Sequence, residues 1–297
     1  MNPRLNKCSS IVSEIKAKRS GFKVKSRIVL FVGGGALSAV YSAGVLRALE
    51  VLGFTELFDV VVSLSAGTVN SAYFLAGQAY ILPEIYMDLS SSQFVNVFRF
   101  SKIFDFDCAE DMLRRRLSIE SMISNKTAFY AGATSISDGR GEFLNVKSNG
   151  LEWNTIKASA IPPLTFNSAI TIGNCGYVDG EIGFPFPVKE LVERFEPTHL
   201  LMVVNRPYDQ HGPMMPLLEK LLMMTSLCIH APRLWRNFFE WEDKSRSALA
   251  YAENVLSNSL HIGVLSPSQG ISEACKDPQL LDDVMYSAFS DTKRLFE

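Results

Sequence analysis

The chain lacks most of the features that would place it outside the globular enzymes. Its 29 Lys and Arg nearly balance 31 Asp and Glu, for a net charge of -2, so it has no excess of positive charge to hold a nucleic acid. Its five cysteines (Cys8, Cys108, Cys175, Cys228, Cys275) are scattered and odd in number. They make neither a disulfide framework nor a metal-ligand spacing, so no metal and no cofactor is expected, and a reducing, cytoplasmic compartment is the simpler reading. There is no repeat and no low-complexity tract. No secretory leader is expected, because residues 1–27 carry eight Lys or Arg and one Glu but no apolar core. Two uncharged runs, Ile28 to Leu46 and Val60 to Pro83, have the length of a membrane span. Each, however, reads as a strand, a turn and a helix start, the pattern of a sheet buried on both faces.

What the chain has is apolar mass, 47% of 297 residues, enough for one large α/β domain. Residues 1–26 read as a basic, solvated tail with a short helix; the alternative is an arm for an anionic membrane surface. Residues 27–297 read as a single domain, mainly helical from about residue 206.

Three segments carry chemistry. Arg27 to Val32 is an apolar strand, followed by Gly33-Gly34-Gly35 and a helical run from Ala36 to Leu52. Three glycines let the backbone turn sharply and aim amide N–H groups into one cavity, which suits an oxyanion or a phosphate. A dinucleotide loop is the rival reading, but it needs an acid at the end of the second strand. Here Asp59 stands at that strand's beginning, and the strand ends in Val62-Ser63-Leu64-Ser65-Ala66-Gly67. Ser65 therefore sits on a tight strand-to-helix turn with small neighbours, close to the G-x-S-x-G form that exposes a nucleophile at a helix N-terminus. The third segment, Tyr177-Val178-Asp179-Gly180, follows an apolar stretch from Leu164 to Ile172 and a turn at Gly173 to Gly176. It puts an acid at a strand end.

In order, G-G-G-A, x-S-x-S-A-G, Ala158-Ser159-Ala160-Ile161-Pro162-Pro163 and Y-V-D-G resemble the patatin-like phospholipases, over roughly Arg27 to Val188. The resemblance implies a mostly parallel central sheet flanked by helices, a three-layer sandwich. It also implies Ser65 as nucleophile, Asp179 as base, and Gly33, Gly34 and Gly35 as the oxyanion hole, with lipid esters as substrates. The chain departs from the family at three points. Leu37 and Ser38 stand where it has Arg or Lys and then Gly, Ser63 replaces the first elbow glycine, and Glu181 follows Asp179-Gly180 in place of a small residue. Without a cation at position 37, phosphate recognition should be weak and neutral esters should compete well. An arginine there should favour phospholipids.

Other readings remain open on the residues alone. His199, His211, His230 and His261 all follow Asp179, so a Ser-Asp-His triad has the right chain order, although none of the four ends a strand. A catalytically silent lipid binder keeps the same fold. Helices are expected over Phe94 to Phe106, Asp107 to Met122, Ala248 to Leu256 and Asp277 to Phe296, and a strand pair over Thr127 to Ser137 and Glu142 to Lys147. A Met- and Leu-rich stretch, Pro213 to His230, reads as core packing or as an apolar lid over an acyl pocket.

Overall fold

A computed structural model describes residues 8–22, 25–91, 106–161, 169–208, 232–254 and 260–297. Strand β1 (Ile28–Val32) is apolar at every position and buried along its whole length. It lies at the centre of a sheet with β2 (Val60–Leu64), β3 (Ala128–Ser135), β7 (His199–Val203) and β8 (His261–Leu265), in the order β3-β2-β1-β7-β8, all parallel. Three antiparallel strands, β4 (Gly141–Asn145), β5 (Ile170–Ile172) and β6 (Cys175–Asp179), complete it beside β3. This is the mostly parallel α/β sandwich expected from the sequence.

Alternate residues of each strand feed two cores. Ile28, Leu30 and Val32 point into the larger one, shared with α1 (Ser9–Arg19), α2 (Val40–Val51), α3 (Ala66–Leu75) and the C-terminal helix Pro278–Phe296. Val29 and Phe31 point the other way, with Val60, Val62 and Leu64, onto α8 (Val188–Phe195). The C-terminal helix is fixed against α2 and its neighbours by Met285 and Ala288, by Arg47 stacked over Phe289 at 5.1 Å, and by Phe296 edge-on to Phe54 at 5.6 Å. The element matches the one expected from Asp277, which caps it by accepting from the Gln279 and Leu280 N–H groups.

The described part of the basic N-terminal stretch, residues 8–22, is not a solvated tail. Cys8, Ile11 and Ile15 are fully buried, and Val12 nearly so. They recur at the spacing of one helix face, so the charged residues of α1 cover an apolar stripe instead of replacing it. Lys18 pairs with Asp59 at 2.8 Å and Lys16 donates to the Glu297 carbonyl, so these two cations are spent on the chain itself and not on an anionic surface. The single helix expected over Asp107 to Met122 is two, Phe106–Arg116 and Ile119–Ser124. Ser118 interrupts it because its hydroxyl caps the second helix by accepting the Ser121 N–H. The expected helix from Phe94 and the Met- and Leu-rich stretch lie outside the described residues, apart from Phe106 itself. Among the described residues no helix is long and apolar enough to cross a membrane.

Candidate active site

The strand register brings the serine and the aspartate together. Along β3, Gly132 lies opposite Leu64, the last residue of β2, and Ala133 lies opposite Asp179, the last residue of β6. One strand ends where the other ends, so the residues at the two ends share one corner. There Ser65 Oγ donates to Asp179 Oδ2 at 2.6 Å.

Ser65 is held in a backbone conformation that side chains rarely adopt, φ 51° and ψ -132°. Such a residue stores roughly 1–3 kcal/mol of strain and persists only where its surroundings fix it. Three features fix it here. Gly67 lies so close to β1 that a Cβ would stand 2.3 Å from the Gly33 carbonyl oxygen. Ser63, in place of the usual glycine, is fully buried and donates to Ser71 Oγ at 2.7 Å, so its hydroxyl is satisfied. Ser159, from α7 (Glu152–Ala160), accepts the Ser65 N–H at 3.2 Å, donates to the Gly132 carbonyl at 2.7 Å and meets Thr68 Oγ1 at 2.9 Å. In the sequence Ser159 stands only as one small residue of the Ala158-Ser159-Ala160-Ile161-Pro162-Pro163 motif. Its role could be read only once α7 was known to stand behind the elbow.

Asp179 is anchored on every side. Its Oδ1 accepts the Glu181 N–H at 2.9 Å, its carbonyl accepts Thr134 Oγ1 at 2.6 Å, and its N–H donates to Ile161. Burial pushes its carboxyl up to about 8. The negative charges of Glu181 and Glu273 add to this, and the Ser65 hydrogen bond and the Glu181 N–H partly oppose it.

The glycine loop divides its labour. Gly33 was expected to donate to an oxyanion, but its N–H donates to the Val203 carbonyl at 2.9 Å, continuing the ladder between β1 and β7. Gly34 and Gly35 donate to no group among the described residues. Gly34 has to be glycine, since a Cβ there would stand 2.4 Å from Ser65 Cβ and 3.0 Å from Glu181 Cδ. Asn205, just past β7, sets the loop's shape. Its Nδ2 donates to the Gly33 and Gly34 carbonyls at 2.7 and 2.9 Å, and its Oδ1 accepts the Ser42 N–H at 2.9 Å. No local sequence pattern marks Asn205 for this work.

Leu37 is 1% exposed and its N–H donates to the Glu273 carbonyl, so position 37 faces the core and an arginine there would bury an unpaired charge. The cation of this corner comes from elsewhere. Arg206 meets Glu181 at 3.1 Å, and both line a cleft of about 40 Å³ with Gly34, Leu64, Phe186 and Tyr208. His199 and His261 stack on each other at 4.8 Å at the start of β7 and β8, the end of the sheet away from Ser65. His211 and His230 lie outside the described residues. No cluster that could hold a metal occurs among the described residues.

The corner thus holds a strained serine at a helix N-terminus, a carboxylate on its hydroxyl and a glycine loop beside both. Residues 29–192 match the family described as Patatin-like phospholipase, and the chain belongs to that family, one of lipid acyl hydrolases. A curated relative, the uncharacterized protein YjjU of Escherichia coli, is 26% identical over 174 residues, which is 55% of this chain and 48% of that protein. The match thus spans about half the length of that relative. Among solved structures, VipD from Legionella pneumophila aligns over 92% of this chain and 67% of its own, at 12% identity and a TM-score of 0.45.

Proposed function

We propose that this chain hydrolyses carboxylic esters of lipids through an acyl intermediate on Ser65, with Asp179 as the only base. The observation that carries this reading is the 2.6 Å hydrogen bond from the strained Ser65 hydroxyl to the Asp179 carboxylate. A serine hydroxyl is a poor nucleophile until a base takes its proton. A carboxylate near its ordinary value of 3.8 is too weak a base for that, whereas one raised to about 8 is suited to it near neutral pH. As Ser65 Oγ forms its bond to the ester carbonyl carbon, its proton passes to Asp179 Oδ2. The N–H groups of Gly34 and Gly35 receive the negative charge on the carbonyl oxygen, helped by the N-terminus of α3. Collapse breaks the ester C–O bond, and the leaving alkoxide takes the proton from Asp179. Water then attacks the acyl carbon, giving its proton to the same carboxylate. Ser65 leaves with that proton, and the free acid is released.

The corner also argues against phosphate binding on the glycine loop as the main activity. The residue after β2 is the nucleophile, and Asp59 spends its carboxylate on the Ile28 N–H and Lys18. A fluorophosphonate probe tests the reading, since only an activated serine displaces its fluoride. Ser65 should become labelled and Ser65→Ala should abolish both labelling and ester turnover. Labelling at another serine, or turnover by Ser65→Ala, would sink the proposal.

A further inference from the structure

Taking Ser65 as the nucleophile, we infer that Glu181, paired with Arg206, sets the charge selectivity of the site: it selects ester lipids without net negative charge over anionic ones. A carboxylate at position 181 is a departure from the family pattern, and the structure shows where it goes. Its carbon lies 3.0 Å from the point a Gly34 Cβ would occupy, and Ser65 Oγ lies 3.1 Å from the same point. Glu181 therefore flanks the nucleophile and the oxyanion loop together. A substrate carbonyl that reaches Ser65 and this loop therefore comes within range of this carboxylate.

Arg206 is the cation that position 37 lacks, delivered instead by the segment after β7. It is not available to a lone anion, because Glu181 holds it at 3.1 Å with both side chains largely covered, at 15% and 23% exposure. An anionic head that took Arg206 would have to displace one carboxylate and then sit beside it. The charges of Glu181 and Glu273 both reach Asp179, and Leu37 bonds to the Glu273 carbonyl, so the acidic groups surround the loop from two elements. Charges in such a partly dry corner are screened less than on an open surface. A neutral head meets none of this repulsion. A zwitterionic head can give its phosphate to Arg206 and its ammonium to Glu181, exchanging one ion pair for two. Discrimination here comes from the repulsive element, not from a stronger attraction.

The test compares kcat/KM on a phosphatidylcholine, a phosphatidylglycerol and a monoacylglycerol with the same acyl chains. Each is diluted into neutral-detergent micelles so that surface charge stays constant. The wild-type protein should favour the zwitterionic and neutral lipids over the anionic one by about tenfold, and added salt should narrow the gap. Glu181→Gln should cut the ratio severalfold. Any change it makes to the strength of Asp179 acts on all three lipids and cancels in the ratio. Arg206→Gln, which removes the guanidinium paired with Glu181, should widen the discrimination, mainly through KM on the anionic lipid. A wild-type enzyme that prefers the anionic lipid, or a ratio that neither variant moves, overturns this inference while leaving the hydrolase reading standing. No turnover of any ester together with no probe labelling overturns both.

Discussion

With Gly34 and Gly35 as the proposed oxyanion donors, Asn205 is the residue whose loss separates a preformed loop from an adjustable one. It is 3% exposed and makes three hydrogen bonds, two from Nδ2 to the Gly33 and Gly34 carbonyls and one from the Ser42 N–H to Oδ1. Asn205→Asp keeps the shape and the acceptor but turns the two donors into a lone-pair-bearing oxygen facing two carbonyl oxygens. Each buried carbonyl left without a donor costs about 1–3 kcal/mol, so the variant should lose roughly 2–5 kcal/mol of stability. The melting temperature should fall by about 4–20 °C, at roughly 2–4 °C per kcal/mol for a chain of this size. The repelled carbonyls rotate the Gly33–Gly34 and Gly34–Gly35 peptides, and the second of these carries the Gly35 N–H. Losing one oxyanion donor typically costs about 3–4 kcal/mol of barrier, so kcat should drop by about 10²–10³-fold. KM should change little, because the loop touches the developing charge more than the acyl chain. Steady-state kinetics on a neutral p-nitrophenyl ester, run well below the melting temperature, read this directly. A variant with wild-type kcat, or one whose loss lies wholly in KM, would refute the role given to the loop.

Four further outcomes follow from the same corner and its support. Turnover should rise with pH and level off only above about 8, as Asp179 loses its proton, and Glu181→Gln should move that limb to lower pH. Asp179→Asn should abolish turnover yet stabilise the protein at alkaline pH, as read by urea unfolding. Between 3.8 and 8 the folded chain holds a proton the unfolded chain has lost, so wild-type stability falls as pH rises through that window, by a few kcal/mol at most, and the gap should vanish near pH 4. Ser159→Ala should lower kcat with KM nearly unchanged, since it releases the Ser65 N–H and the Gly132 carbonyl and lets the elbow relax; unchanged kcat would refute its positioning role. Ile11→Ala should cost about 2–5 kcal/mol in urea unfolding, where a solvated tail would cost nothing measurable.

The strands and the elbow were legible because their signals are local. Ile28 to Val32 and Val60 to Leu64 are apolar runs bounded by turn residues, and a small-residue turn between strand and helix has few alternatives. The failures come from long-range contacts. Gly33, Gly34 and Gly35 are equivalent in sequence, and only the pairing of β1 with β7 consumes the Gly33 N–H. The family pattern places a cation at position 37, where this chain has Leu37. The chain supplies Arg206, 169 residues later, through a strand neighbour that no local pattern announces. The buried face of α1 was hidden for a different reason: counting charge over residues 1–27 averages away a stripe that only the 3.6-residue period reveals.

A two-residue site places a burden on the aspartate that a triad spreads over two side chains. In a triad the imidazole titrates near neutrality on its own, and the carboxylate merely orients it. In the proposed mechanism the same carboxylate must be a strong enough base and must also be held to one geometry. The structure meets the two needs with different atoms. Thr134, Ile161 and the Glu181 N–H fix the position of Asp179 through its backbone and Oδ1, leaving Oδ2 to the serine. Burial and the Glu181 and Glu273 charges raise its proton affinity without touching Oδ2. Glu181 thus contributes to both, its N–H by holding the base and its carboxylate by strengthening it. That double contact explains why a change at position 181 should appear in the pH profile and in the choice of substrate charge at once, while Ser159 and Asn205, which bond only to backbone and hydroxyl groups, should alter the rate without moving either.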